Sequence, residues 1–237
     1  MHAHIAADAN TRIIPGRLPS AASIGPNSAS RLMAVSSLHR KKPGETVFSE
    51  GDDADSVYEV VRGMLRLCKI LPDGRRQITG FLSAGQFLGL APEGVCVYTA
   101  EAITEVTLCR YKRAAFDRLI DVVPGFAKRV LAVASHELSA AQNQMLLLGR
   151  KAALEKVASF LLLMAEQAGE DDDGTIGLPM TRSDIADYLG LTIETVSRTL
   201  TRLKHDRLIA LPTPDRIEIR DRHQLEELAA GEADQVV

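Results

Sequence analysis

The spacing of apolar positions changes twice along this 237-residue chain, and each change predicts a new kind of element. From about residue 41 to 120 short alternating runs are punctuated by Gly44, Gly51, Gly63, Gly74, Gly80, Gly85 and Gly89. Val57–Val61 and Met64–Ile70 read as strands on either side of the tight turn Arg62-Gly63. Pro72-Asp73-Gly74 marks another turn, and Glu105–Arg110 reads as a closing strand. Many short strands with such turns predict a barrel, roll or jelly-roll. The period then lengthens: over Pro124–Gly149, Ala127, Leu131, Ala134, Leu138, Ala141, Met145 and Leu148 form an uncharged heptad row on one long helix, with Pro124 suited to its first turn. Phe126, Val130 and Val133 form a second row, predicted to pack on the β region.

The third pattern lies at 181–207. Thr181 and Asp184 fit a capping box, Ala186 is small where two helices would cross, Gly190 can take the left-handed conformation that ends a helix, and Thr192 can cap the next one. This is a helix-turn-helix. On its second helix Glu194, Ser197 and Arg198 stand at i, i+3 and i+4 and so share a face, opposite Val196, Leu200 and Leu203. Arg donates two bonds to guanine, Glu accepts from cytosine and Ser contacts either kind of group, so this face suits base edges in a major groove. Thr192, Thr201 and Arg202 are expected to touch phosphates or flanking groups, and Thr181 and Arg182 to reach the DNA backbone near the first helix. A single buried helix of a monomer could also carry the heptad row. Joined to a DNA-reading module, the row predicts a parallel homodimer, because dimers read two half-sites about one helical turn apart.

Composition narrows the classes. No apolar run reaches the ~18 residues of a membrane span, and Met1–Ser30 lacks the apolar stretch of a signal peptide, so a cytoplasmic protein with no membrane partner and a disordered N-terminal tail is expected. The net charge of −3 does not argue against DNA, because distribution is what matters: Arg198, Arg202, Lys204 and Arg207 outnumber Glu194 and Asp206 around the second helix, while Glu170–Asp173 places acid in a solvated loop. Three cysteines, Cys68, Cys96 and Cys109, are odd in number and widely spaced, against a disulfide framework or zinc finger. His136 and His205 read as helix-surface residues. With no paired carboxylates, nucleophile–base set or metal cluster evident, the chain is not expected to be an enzyme.

The order of β-roll, long helix and C-terminal helix-turn-helix resembles the Crp/Fnr regulators over about residues 32–225. Gly44-Glu45-Thr46-Val47-Phe48, Glu50-Gly51-Asp52, Gly63 and Ala84-Gly85-Gln86-Phe87-Leu88-Gly89 are similar to the β-roll signatures. Leu146–Lys151, Ala153 and Glu155–Leu162 are similar to the linker and first helix of the DNA-binding domain, and Leu208–Ile219 to its wing. The resemblance implies an α+β chain: a tail at 1–30, a cyclic-nucleotide-binding-like β-roll (jelly-roll) at 31–121, a dimerisation helix at 122–149, a winged helix-turn-helix at 150–225 and a tail at 226–237.

Glu194, Ser197 and Arg198 resemble the triad of the Fnr and FixK branch, which implies a TTGAT-type half-site in an inverted repeat; the cyclic-AMP branch carries Arg at the place of Ile193 and Gly at that of Ser197. Cyclic-nucleotide binders of the superfamily hold the ribose with a Gly-Glu pair and the phosphate with Arg-Ser/Thr-Ala. Here Leu90 follows Gly89, and the second motif reads Tyr98-Thr99-Ala100, so the phosphate has no cation. Iron–sulfur members use N-terminal cysteines, and none precedes Cys68. These departures point to the FixK subgroup, with no cofactor expected. The resemblance implies dimers controlled mainly by their abundance that touch RNA polymerase as activators in low-oxygen, denitrification or nitrogen-fixation control. A haem- or ligand-gated gas sensor is the alternative within the class, and a cyclic-nucleotide-binding regulatory subunit acting through protein contacts the alternative outside it.

Overall fold

A computed structural model describes residues 36–90, 94–123, 125–168 and 175–231. The tail at 1–30, Pro124 and the acidic loop Glu170–Gly174 lie outside the described residues, as do residues 232–237 of the expected C-terminal tail.

The β region folds as two facing antiparallel sheets. One has the strand order β1 (Ser36–Lys41), β8 (Val106–Lys112), β3 (Ser56–Arg62), β6 (Phe87–Leu88); the other runs β2 (Thr46–Phe48), β7 (Thr99–Ala102), β4 (Leu65–Ile70), β5 (Arg76–Leu82). The turn at Arg62-Gly63 therefore carries the chain from one sheet to the other rather than closing a hairpin. Gly63 has φ +90°, and a Cβ there would sit 2.3 Å from the Glu105 carbonyl oxygen, so glycine is required on two counts. Val60, Leu65, Leu88, Ala100, Val106 and Leu108 are buried between the sheets.

Strand character ends earlier than expected. Arg113–Val122 is a helix, α1, not the end of an all-β region. Its apolar positions Phe116, Leu119, Ile120 and Val123 repeat at three and four, and they close a cluster with Val57, Phe87 and Tyr111 of the roll. The long helix, α2, spans Phe126–Arg150; it begins after Gly125 and stays helical through Gly149, so only Lys151 and Ala152 separate it from α3 (Ala153–Ala168). Phe126 and Val133 are buried against the roll with Val130 packed beside them. Arg129 joins them as a buried charge: its guanidinium meets Glu59 of β3 at 2.6 Å and lies 4.9 Å from the centre of the Phe87 ring, and the Tyr111 hydroxyl donates to the same carboxylate at 3.2 Å.

The heptad row faces the other way. Leu131, Leu138 and Met145 remain 68%, 61% and 66% exposed in the single chain, and Ala127, Ala134, Ala141 and Leu148 are exposed with them. His136, one step off this row, is not the surface residue expected from its spacing: it is half-buried, with Nδ1 inaccessible to solvent.

The C-terminal part contains α3, β9 (Thr175–Gly177), α4 (Arg182–Leu189), α5 (Ile193–His205), the hairpin β10 (Ile209–Thr213) and β11 (Arg216–Ile219), and α6 (Arg222–Ala230). β11 pairs with both β10 and β9, so the wing is a three-stranded sheet. α6 occupies the start of the expected C-terminal tail: Asp221 caps it, Gly231 ends it in the left-handed conformation, and Leu225 and Ala229 are buried. One apolar cluster spans both halves of the molecule. Met64, Cys68, Ile78 and Phe81 of the roll join Phe160, Met164, Tyr188, Val196, Leu200 and Leu203.

Candidate nucleic-acid interface

The helix-turn-helix is built by local chemistry. The Thr181 hydroxyl accepts from the Asp184 amide at 3.1 Å, and the Asp184 carboxylate accepts from the Thr181 amide at 3.0 Å, a closed capping box on α4. Gly190 ends α4 at φ 61°, ψ 42°. Thr192 caps α5, its hydroxyl accepting from the Thr195 amide at 3.1 Å. Val196, Thr199, Leu200 and Leu203 are buried, which sets the rotation of α5 and turns Glu194, Ser197, Arg198, Thr201 and Arg202 outward.

On that outer face the Arg198 guanidinium donates to Glu194 at 2.5 Å; both side chains are highly exposed. An exposed pair of this kind is weak, about 0.3–0.5 kcal/mol, and can exchange for base edges at little cost. The Thr201 hydroxyl donates to the Ser197 carbonyl at 2.9 Å, and Arg202 lies 3.7 Å from Asp206. Arg182 is half-buried and donates to the Pro214 carbonyl at the wing tip, 3.1 Å, so it braces the wing against α4. The fold thus brings Glu194, Ser197, Arg198, Thr201 and Arg202 onto one helix face, with Thr192 at its start. It leaves Thr181 within the capping box at the far end of α4.

Sequence reasoning missed the residues that hold this unit on the roll. Asp184, with its side chain 1% exposed, receives Arg66 of β4 at 3.0 Å and Arg76 of β5 at 2.7 Å. Arg76 also meets Asp187 at 2.7 Å, and Gln77 donates to the Asp187 carbonyl at 2.7 Å. Burial alone would raise the Asp184 carboxyl; the Thr181 hydroxyl and amide, with Arg66 and Arg76, outweigh it and hold the group below the usual carboxylate range. Phe81 of the roll packs on Tyr188 at 5.2 Å between ring centres, and Gln144 of α2 donates to the Tyr188 carbonyl at 2.7 Å. The signal was one of long-range charge pairing, which no local spacing carries. Arg207, exposed and left-handed at φ 61° between α5 and the wing, was noted only for its charge.

The chain matches two family models, a cyclic nucleotide-binding domain over residues 38–122 and a Crp-like helix-turn-helix domain over residues 155–228. It belongs to the Crp/Fnr family of transcription regulators. Within that family it is FixK-like. It is 45% identical over 210 residues to the transcriptional activatory protein AadR of Rhodopseudomonas palustris, covering 88% of this chain and 87% of that one. It is 49% identical over 193 residues to the nitrogen fixation regulation protein FixK of Bradyrhizobium diazoefficiens, covering 79% and 80%. Among solved structures, FixK2 from Bradyrhizobium japonicum superimposes with a TM-score of 0.76 at 38% identity, over 82% of this chain and 97% of that one. The relatives are regulators, and this Crp/Fnr chain is a DNA-binding transcription factor rather than an enzyme.

The family's nucleotide-binding module is nevertheless altered here. Leu90 packs against the apolar cluster under α1, and the Gly89-Leu90 segment is held from outside by Arg113, which donates to both carbonyls. The Tyr98 hydroxyl accepts from the Gly89 amide at 3.3 Å. Tyr98 is half-buried, and desolvation raises its hydroxyl, with Glu137 of α2 adding to that effect. A cyclic phosphate in the place resemblance assigns it would meet an acid and a phenol instead of a guanidinium, so these residues do not fit that ligand. Cys68 is buried on β4 and Cys109 half-buried on β8.

Proposed function

We propose that the protein binds DNA as a homodimer, with Glu194, Ser197 and Arg198 reading base edges of a TTGAT-type inverted repeat. The observation that carries this reading is the exposed Glu194–Ser197–Arg198 face on a helix whose opposite face is buried. Thr192, Thr201 and Arg202 border that face and hold phosphates or flanking groups, and Thr181 and Arg182 serve the backbone near α4. The exposed row Leu131, Ala134, Leu138, Ala141, Met145 and Leu148 supplies the two-fold seam. A transcription factor of this kind acts in the cytoplasm, and no helix among the described residues is long and apolar enough to cross a membrane.

The names of the relatives, an activatory protein and nitrogen fixation regulators, support activation through RNA polymerase and a role in low-oxygen or nitrogen-fixation control. Operator titrations of wild type, Arg198→Ala and Arg202→Ala test the base assignment, using the palindrome and a variant with its G·C pairs replaced. Arg198→Ala should lose about 1–3 kcal/mol on the palindrome and little on the replaced sequence. Arg202→Ala should weaken binding to both evenly. If Arg198→Ala discriminates as well as wild type, the assignment fails.

A further inference from the structure

A cavity of about 160 Å³ lies where the roll, α2, α3 and α4 meet. Tyr98 lines it from the roll, His136, Glu137 and Ala141 from α2, Gln167 from α3 and Tyr188 from α4. Its size is that of a site for a molecule of about six heavy atoms, since an engineered void of ~150 Å³ takes up benzene. Its chemistry is not that of an apolar void. The Gln167 Oε1 and His136 Nδ1 atoms are buried without a hydrogen-bond partner, and no hydrogen bond or ion pair engages the Glu137 carboxylate among the described residues. Gln167 Oε1 and the carboxylate can only accept, and Nδ1 accepts when the ring proton sits on Nε2. The Tyr98 hydroxyl accepts from the Gly89 amide and keeps its own proton to donate. The titratable groups lining the cavity are Glu137, His136, Tyr98 and Tyr188, and no Lys or Arg faces it among the described residues.

The two unpaired acceptors and the Glu137 carboxylate, on a wall with no Lys or Arg among the described residues, are complementary to a positively charged donor. We propose that this cavity is a binding site for a small organic cation bearing N–H donors, a primary ammonium or guanidinium compound. The ligand class is opposite in charge to a cyclic nucleotide, and the site draws on the DNA-binding half, through Gln167 and Tyr188, as well as on the roll. The N–H groups satisfy Glu137, Gln167 and His136, and the short apolar part rests on Leu82, Leu163 and Met164.

The proton balance makes the proposal measurable. Burial pushes the Glu137 carboxyl up to about 7. A cation beside it favours the ionised form, so binding near neutral pH expels a proton from Glu137 to the buffer. Affinity then falls as pH drops below this midpoint, by about tenfold per unit, and levels off above it.

Calorimetric titration of the full chain with n-propylguanidinium and n-butylammonium, each in phosphate and in MOPS, reads both binding and proton release. The two cations should bind with a heat that depends on the buffer, and tetramethylammonium, which fits the cavity but has no N–H donor, should not bind. Glu137→Gln should remove the buffer dependence and weaken binding tenfold or more; Gln167→Leu should weaken binding and leave proton release intact. Thermal melting confirms that both variants fold, and the wild-type measurement stands without them. Absence of binding by both N–H cations means that the cavity holds only water, and overturns the proposal. So does equal binding of tetramethylammonium, or proton release that persists in Glu137→Gln.

Discussion

Leu138→Ala isolates the seam from the rest of the fold. In the single chain Leu138 is 61% exposed, and it belongs to none of the buried clusters. Fully burying a leucine side chain is worth ~1.5–3 kcal/mol, so covering this fraction on dimerisation is worth ~1–2 kcal/mol per protomer. A two-fold axis counts each substitution twice. The dimer should therefore weaken by ~2–4 kcal/mol, which is roughly 30- to 700-fold in its dissociation constant. Sedimentation across a dilution series reads that constant, and far-ultraviolet circular dichroism reads the helix. The variant should keep wild-type helicity, and wild-type melting at concentrations where both proteins are monomeric, since Leu138 belongs to no buried cluster of its own chain. Val133→Ala is the converse control. That side chain is fully buried against the roll, so its truncation should lower melting and leave the dimer constant within a few-fold. A dimer constant unchanged by Leu138→Ala would refute the two-fold use of this row.

Asp184→Ala should cost about 1 kcal/mol for the lost capping box and a further ~1.5–3 kcal/mol for the lost bonds from Arg66 and Arg76, read as a lower denaturation midpoint near neutral pH. Because the folded Asp184 carboxyl is held below its ordinary value, its contribution is complete above the unfolded value of about 4 and disappears as pH falls through the depressed folded value, so the gap between wild type and variant should close in acid. A gap that stays constant with pH would mean that the charge contributes nothing. Gly63→Ala should destabilise by at least ~1–3 kcal/mol, because φ is +90° and the added Cβ meets the Glu105 carbonyl; Gly74→Ala, also at positive φ but with open space around it, should cost less, and equal melting shifts for the two would refute the clash.

What could be read from the chain was whatever local spacing encodes. The heptad row of α2, the two faces of α5, the Thr181–Asp184 box and the Gly190 turn are each set by residues within a few positions of one another, and the fold places them so. Helix α1 carried the same kind of signal, Phe116, Leu119, Ile120 and Val123, and was lost beneath the glycine-rich pattern that precedes it. Pairings across long stretches of chain left no such trace. Nothing in the local spacing of the long helix marked Arg129 as the partner of Glu59, 70 residues earlier, which meets it in the core. Arg66 and Arg76 carried no local mark of a role either, and both reach Asp184, 118 and 108 residues away. His136 and Glu137 flank the exposed row on the helical wheel, and their burial depends on α3 and the roll arriving from elsewhere.

The apolar cluster shared by the roll and the helix-turn-helix has a bearing on modularity. Phe81 touches both Phe160 and Tyr188, so the two halves of the molecule own part of the same interior. Heat should find one melting unit and not two, with a calorimetric enthalpy equal to the van't Hoff value. A fragment cut at the short joint after α2 would carry Phe160 and Tyr188 into water as an adhesive patch. The reading head is therefore not a cassette that can be moved to another roll at will: transplantation requires recutting the matching surface of β4 and β5, and the inheritable unit is the pair.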